Sequence, residues 1–499
     1  MRARMITLTV TLLGLVSVGY ADIYQWEYID PGHPELGVRQ SATLCPGGAG
    51  VSTTTYDLTW RDLTQAYLIG ADLSSKNLNS ATLARADLSQ ANCRNSEFSR
   101  VNLTSANMSR GDFYGTNFSL GTLANADLTD AVVTYANFWE TGLTSTQLYS
   151  TASYKNGDLT GIGCLLNNMC GWNFAGQRLS YANLGRAALI NTDFRRADLS
   201  HAILNDALLT NADFTDAIIA GAQFWRVTIP TRDFTAAQFY STASYKNGDL
   251  NGIMLAGCNL TGWNLAGKNL ARADFRGTVL TNADLNHADF GGANFGIWYG
   301  IGPATFVGAN LTQANLSGAT FNGAVLNCAD ARGAVGLNLN NAQSSSNLIG
   351  PDGRIAGLSL SGGQQLFVRN YSGTSPIPIR VQSGMAMGSD GVLTMNLDAN
   401  PWTSTVSFDQ SVDVALGGTL QLGFAAGVDA ASQVGRTFDL FDWTGVNSVG
   451  SFAVIDGGSY QWDLSHLYTT GEVTLVPEPA TLSLLGLGGL AILRRRKSA

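Results

Sequence analysis

The sequence predicts an all-β protein, with a β-solenoid over residues 56–341 and a smaller β-sandwich-like domain over residues 350–475. Three observations carry this reading. A large apolar residue, or a near substitute, recurs at every fifth position from Leu58 through Leu63, Leu68, Leu73 and Leu78 to Leu148. Charged residues make up only 13% of the 499, beside 57 glycines and 11 prolines. That composition leaves few solvated helical faces and many turns. Past Leu326 the five-residue pattern fades into short runs that alternate apolar and polar residues.

The N-terminus reads as an export signal. Arg2 and Arg4 form a basic region, Met5 to Val18 an apolar one, and Gly19-Tyr20-Ala21 places small residues where a signal peptidase reads them. Cleavage is expected after Ala21, leaving residues 1–21 outside the fold. The apolar run is short for a membrane anchor. Residues 22–55 carry Tyr24, Trp26 and Tyr28, then Pro31, Pro34, Gly47 and Gly48. They read as a cap, because the end coil of a solenoid is an unpaired edge.

The repeat unit is Ala-(Asp/Asn)-Leu-x-x. A small residue stands two positions before most centres, as at Ala66, Ala71, Ala81 and Ala86, with Asp or Asn between, as at Asp72, Asp87 and Asn92. Five is neither the strand period nor the helix period. The spacing makes sense if the chain turns a corner once per unit, so that each centre points to one axis. Four units then close one square coil of about 20 residues, and stacked coils bond along the axis at about 4.8 Å. The repeated inward pair sets the register.

The pattern resembles the pentapeptide-repeat family, whose fold is a right-handed quadrilateral β-helix. The resemblance covers residues 56–341, and no other common repeat has this period and pattern. The register slips by eleven residues from Leu148 to Leu159 and again from Phe239 to Leu250. Both gaps hold the same ten residues, Tyr149 to Asp158 and Tyr240 to Asp249, and both are followed by Gly-Trp-Asn. A third slip separates Phe295 from Phe306 without that string. Each slip is expected to add a bulge or loop at a corner.

Residues 350–475 hold short alternating runs such as Val392 to Leu397 and Thr419 to Phe424. Strands at this spacing suggest a β-sandwich, with a less regular β-helical continuation as the other reading. Residues 476–499 carry Pro477-Glu478-Pro479, the apolar run Leu482 to Leu493, and Arg494-Arg495-Arg496-Lys497. The run is short for an unassisted span, and its basic end sets a cytoplasmic C-terminus. These elements in this order resemble the PEP-CTERM sorting signal of Gram-negative bacteria. The resemblance implies an exosortase-type processing enzyme as partner, acting near Pro477, Glu478 and Pro479, with a transient membrane helix before processing.

No residue constellation points to catalysis, a cofactor or a metal. Cys93 and Cys164 occupy centres and Cys258 a small inward slot, as core fillers do. Cys164 and Cys170 are close enough in sequence to meet across a corner, and no CxxC spacing suggests zinc. His201 and His287 fall two residues after a centre, facing solvent. Asp87, Asp127, Asp198, Asp213, Asp274, Asp284 and Asp289 share one repeat slot, where such side chains bond nearby backbone or water. Tyr154, Lys155, Tyr245 and Lys246 in the copied string offer a candidate aromatic and basic contact, against the alternative of a packed corner insert. Trp402, Trp443 and Trp462 offer sugar stacking, against a place in the core.

The net charge of −8 gives no electrostatic reason to bind nucleic acid. The expected function is therefore a non-catalytic, exported structural or interaction protein. It would be a rigid scaffold at the cell surface or in extracellular matrix, with a polysaccharide or protein partner. Two other readings stand beside it. Some pentapeptide-repeat proteins resemble a DNA duplex and bind DNA gyrase. The export signals and Arg94, Arg100, Arg110, Arg195 and Arg196 oppose that role here. A carbohydrate-binding module within residues 350–475 is the other.

Overall fold

The computed structural model describes residues 22–49, 53–227, 234–298 and 300–477. The chain divides into two compact units, residues 1–168 and 169–499. Nearly all of its regular structure is β.

The first unit opens with an antiparallel hairpin of β1 (Tyr24–Tyr28) and β2 (Val38–Leu44). The Trp26 N–H donates to Gln65 O at 3.0 Å and the Tyr67 N–H to Tyr24 O at 2.7 Å. The Gly47 N–H donates to Asp62 O at 2.7 Å. These bonds occupy backbone groups of the leading coil that an open edge would leave unpaired.

From Asp57 the backbone pairs with itself twenty residues on, in parallel: Asp57 with Asn77, Asp62 with Thr82, Tyr67 with Asp87, Asp72 with Asn92. Each coil therefore takes four pentapeptides. The centre N–H points to the next coil, as Leu58 N–H to Asn77 O at 2.7 Å. The residue before each centre points back, as Asn77 N–H to Tyr56 O at 2.9 Å. The centres are buried along the unit, as are most of the small residues two before them, such as Ala66, Ala81, Ala86 and Ala91. Aromatic centres stack in register, as Phe118 on Phe138 at 5.2 Å.

The regular pentapeptides end in a turn closed by a bond such as Ala66 N–H to Leu63 O, 3.0 Å. The residue two after the centre is left-handed, with φ of 56° at Gln65, 57° at Arg85 and 56° at Arg100. A turn of this hand demands positive φ at its second central position. None of the described non-glycine residues with positive φ is Val, Ile or Thr. A branched Cβ fits that region worst.

The first eleven-residue slip holds two short helices, α1 (Ser145–Ser150) and α2 (Ala152–Lys155). In the second unit the twenty-residue ladder runs from Asn173 paired with Asp193 onward. Its copy of the insert forms α3 (Ala236–Ser241) and α4 (Ala243–Asn247). The inserts are thus helical, where a bulge or loop was expected. The ladder then continues to Val325 with Ser344 and Asp330 with Ile349.

Beyond it the coils widen. β3 (Arg354–Ile355), β4 (Leu358–Leu360) and β5 (Gln365–Arg369) form one turn of the chain. β6 (Ile379–Val381), β7 (Met385–Met387) and β8 (Val392–Leu397) form the next. β9 (Val406–Phe408), β10 (Asp413–Leu416) and β11 (Thr419–Phe424) form a third. Like strands stack in parallel: β3-β6-β9, β4-β7-β10 and β5-β8-β11. Leu358 pairs with Met385, and Gln365 with Val392. After β12 (Thr437–Asp439), β13 (Asn447–Gly450) and β14 (Val454–Asp456) extend two of these sheets. β15 (Gln461–Asp463) and β16 (Glu472–Val476) join β12 in an antiparallel sheet with β16 central.

This corrects the expected β-sandwich. The stacked sheets pair in parallel, as Leu358 with Met385 and Gln365 with Val392 and, further on, Asp413 with Asn447, as a three-sided coil does, and antiparallel pairing in this region is confined to the last sheet. The error has a physical source. Each strand buries one face and exposes the other, as β4, β6 and β7 do. Alternation follows from one-sided burial whichever way the neighbour runs. Cys328 and Ile349 lie in the same apolar cluster as Ile355, Leu358, Leu366 and Ile379, so the core passes from the narrow coils into the wide ones without a break.

Candidate functional site

The copied insert is the feature the sequence singles out most sharply, and its polar residues serve the backbone. Thr144 caps α1 with Gln147 in a reciprocal capping box, and Thr235 with Gln238 does the same for α3. The Gln147 amide then donates to Leu123 O at 2.7 Å and Ala126 O at 3.1 Å. Gln238 donates to Leu209 O and Ala212 O, both at 2.8 Å. Thr151 and Thr242 accept the N–H of Tyr154 and Tyr245, each at 3.1 Å.

The key substitution is at Ser153. In an ordinary coil the N–H of a centre such as Val133 meets a carbonyl of the next coil. Here the helix turns that carbonyl away, and the Ser153 hydroxyl accepts the Val133 N–H at 2.9 Å. Ser244 accepts the Ile219 N–H at 3.0 Å in the second copy. Leu148 and Phe239 stay fully buried as centres. The string can therefore interrupt the repeat and still leave the ladder satisfied.

The four residues picked as a contact pair are placed accordingly. Lys155 pairs with Asp130 at 2.7 Å and Lys246 with Asp216 at 2.7 Å. In each case the lysine holds the aspartate below the usual carboxylate range. Tyr154 stacks on Tyr149 at 4.4 Å and Tyr245 on Tyr240 at 4.5 Å. The Tyr245 hydroxyl donates to Asn264 O at 2.9 Å, and Lys268 lies 4.2 Å over its ring. The pairs are half-exposed, but their charges and rings are engaged within the fold.

The aspartate ladder is likewise internal machinery. Asp87, Asp127, Asp198, Asp213, Asp274, Asp284 and Asp289 each accept the N–H two residues on, at 2.9–3.2 Å. Several rungs also bond across coils, as Asn107 Nδ2 to Asp87 at 3.1 Å. At Asp72 the Ser74 hydroxyl, then its N–H, lowers the carboxyl pKa. These bonds hold each corner turn, the role of an Asx turn.

Sequence reading missed the most polar feature of the core. Arg332 is 0% exposed and pairs with the equally buried Asp330 at 2.7 Å. Its guanidinium also donates to Ser404 Oγ at 2.8 Å, Arg369 O at 2.7 Å and Ile377 O at 3.2 Å. It lies 5.4 Å from the Tyr371 ring. Arg332 thus ties the last narrow coil to the β5–β6 connection. The Asp-x-Arg string alone held no signal for this, since Arg195 and Arg276 make the same local pair with Asp193 and Asp274 at the surface.

The remaining candidates pack or stay apart. Trp443 stacks on Phe441 at 4.6 Å, and its Nε1 donates to Leu467 O. Trp462 stacks on Phe424 at 5.9 Å, and Trp402 packs on the same cluster. These tryptophans serve the core. None of the six cysteines forms a disulfide, and Cys164 and Cys170 are not bridged. Burial pushes the Cys45 thiol up to about 11 and the Cys164 thiol up to about 12. His201 stacks on Tyr181 at 5.0 Å. Among the described residues no group of three or more His, Cys, Asp or Glu side chains is placed to hold a metal ion. No helix among them is long and apolar enough to cross a membrane. Pro477 directly follows β16. Ala21, Glu478, Pro479 and the terminal apolar run lie outside the described residues.

Comparison with known proteins agrees with the repeat and with the C-terminal signal. The family "Pentapeptide repeats" matches in eight copies over residues 62–92, 81–119, 192–227, 258–296 and 304–335. The "PEP-CTERM protein-sorting motif" matches residues 475–497. No curated protein matches the chain. Similar solved structures include HetL, a pentapeptide repeat protein involved in heterocyst differentiation regulation in the cyanobacterium Nostoc. It is 23% identical, covering 57% of this chain and 86% of its own, with a TM-score of 0.16. A pentapeptide repeat protein of the Arabidopsis thaliana thylakoid lumen is 20% identical, covering 30% and 70%, TM-score 0.11. QnrB1, a plasmid-mediated fluoroquinolone resistance protein, is 16% identical, covering 51% and 89%, TM-score 0.18. Scores this low carry no argument about partners. The chain thus combines pentapeptide repeats with a PEP-CTERM motif, a pairing that suggests an exported, envelope-associated and non-catalytic protein. The motif implies processing by an exosortase.

Proposed function

We propose that this protein is a rigid, non-catalytic scaffold held at the outer envelope or released into extracellular matrix. Residues 56–341 form its right-handed quadrilateral β-solenoid, capped by residues 22–55. Residues 350–475 form a wider coiled domain that lies in sequence between the solenoid and the sorting segment, residues 476–499. The chain is exported by the signal ending at Ala21, anchored briefly by its C-terminal segment, and processed near Pro477-Glu478-Pro479. Its lasting partner is an extracellular polysaccharide or protein. The observation that carries this reading is the sorting motif at residues 475–497 on a body whose repeated polar groups are spent on its own turns.

Fractionation with mass spectrometry of both chain ends tests it. The mature chain is expected to begin at Asp22, to lack residues beyond the Pro477–Pro479 region, and to sit in the outer envelope or medium. A cytoplasmic chain with intact ends overturns the export reading. A hydrolase or lyase activity of the purified body, abolished by a point substitution, overturns the non-catalytic one.

A further inference from the structure

The corner residues of the first coils differ in size, and the hairpin lies beside them. Trp26 of β1 donates its Nε1–H to Arg85 O at 2.8 Å, which fixes the indole beside the corners Gln65, Arg85 and Ser105. Tyr28 meets the indole edge-on at 5.4 Å. An open cleft of about 380 Å³ lies between Trp26, Gln65, Arg85, Asp87, Ser105 and Asn107. The small Ser105 side chain lines it, at a corner where the stacked coils carry the larger Gln65, Arg85 and Asn125.

The polar groups here keep bonding capacity. Asp87, only 7% exposed, accepts the Ser89 N–H at 2.9 Å and one Asn107 amide hydrogen at 3.1 Å. A carboxylate offers about four acceptor sites, so two remain. Asn107 Nδ2 keeps a second hydrogen, while its Oδ1 takes Ser109 N–H and Oγ–H at 3.1 and 2.7 Å. Arg85 is exposed at its corner. The cleft thus combines one fixed indole, one cation, one carboxylate, two amides and one hydroxyl, with no net charge.

We propose that this cleft binds an uncharged hexopyranose polysaccharide. A pyranose has an apolar C–H face for an indole and equatorial hydroxyls that both donate and accept, which suits the mixed set here. A uronate would meet Asp87. A polymer is favoured over a single sugar because the rungs Tyr67, Asp87, Asn107 and Asp127 repeat in register at strand spacing, about 4.8 Å. The proposal rests on the scaffold reading for its setting, and it names the partner class and the residues that meet it.

The test is affinity electrophoresis of the purified mature chain in gels containing dextran, a β-glucan, a mannan or polygalacturonate. Retardation by at least one neutral polymer is expected, unchanged between low and high salt. Arg85→Ala and Ser105→Tyr are each expected to weaken it at least tenfold. Neither change threatens the fold, since Arg85 is exposed and Tyr135 and Tyr181 occupy equivalent left-handed corners at φ of 59° and 61°. No retardation by any neutral polymer overturns the proposal. So does retardation that Ser105→Tyr leaves intact, or binding to polygalacturonate alone that high salt removes. Binding in this assay does not depend on where the cell puts the protein, so its failure is distinguishable from a failure of the export reading.

Discussion

Arg332→Ala is expected to loosen the passage from narrow to wide coils more than any surface change. The side chain is fully buried and makes bidentate contact with Asp330, through Nε at 3.0 Å and Nη2 at 2.7 Å. It also satisfies Ser404, Ile377 O and Arg369 O. Truncation strands a buried carboxylate and leaves two carbonyls without this donor. Breaking a buried pair in this way costs about 3–5 kcal/mol. A solenoid does not unfold as one two-state unit, so the readout is local amide exchange. The amides to follow are Gly333, bonded to Pro351 O, Gln382, bonded to Ile355 O, and Asp409, bonded to Val381 O. Their exchange is expected to speed up about a hundredfold or more, at roughly tenfold per 1.4 kcal/mol. The double change Asp330→Asn with Arg332→Met removes both charges and keeps the volume. It is expected to recover much of the loss, since a buried pair contributes little net stability over an apolar replacement. Protection within about threefold of wild type in Arg332→Ala, or a double variant as loose as the sum of both singles, would refute the reasoning.

Three other changes test the repeat and its ends. Ser153→Ala removes the acceptor of the Val133 N–H. It should cost about 1–3 kcal/mol, the penalty of an unsatisfied buried group, seen as faster exchange at Val133. Ser244→Ala should do the same at Ile219, as an internal replicate. Gly161→Ala should destabilise its coil, because φ is +67° and an added Cβ would stand 2.2 Å from the Tyr135 ring. Thermal unfolding of Gly161→Ala with Tyr135→Ser should return part of that loss, the part owed to the clash. Asp439 lies opposite Glu472 across the β12–β16 pair, and burial, then Glu472 and Asp442, raises its carboxyl pKa. Its ionised form therefore weakens the fold, and stability falls as pH rises from the ordinary aspartate value through the raised one. Asp439→Asn should raise the melting temperature near neutral pH and give no gain below the ordinary value of about 3.9. An equal gain at both pH values would remove charge from the explanation.

Much of the repeat was legible because its signal is local and multiplied. One pentapeptide with Ala71, Asp72 and Leu73 says little, but the same triplet at every fifth position permits only a chain that turns each time. The left-handed corners were not legible: that none of the described non-glycine residues with positive φ is Val, Ile or Thr becomes visible only once φ is known. The helical inserts did have a signal. Thr144-Ser-Thr-Gln147 and Thr235-Ala-Ala-Gln238 are capping boxes, overshadowed by the period around them. The proposed cleft had none, because Trp26 and Asn107 lie far apart in sequence and only the hairpin's docking on the first coil brings them together.

By itself the sequence determined the pentapeptide coil, the inward pair, the interruptions and the terminal sorting motif. All of these are written in residues within a few positions of each other. Tertiary structure decided how the wide C-terminal coils pair. Val392 to Leu397 alternates in the same way beside a parallel or an antiparallel neighbour, and the choice depends on partners 27 residues away. It also decided which charges are buried. Arg332 and Arg195 carry the same local Asp-x-Arg pair, yet only Arg332 lies beneath the β5–β6 connection, where no water can replace its partners. Burial is a property of what covers a residue, and in a coiled chain the covering segment comes from another turn.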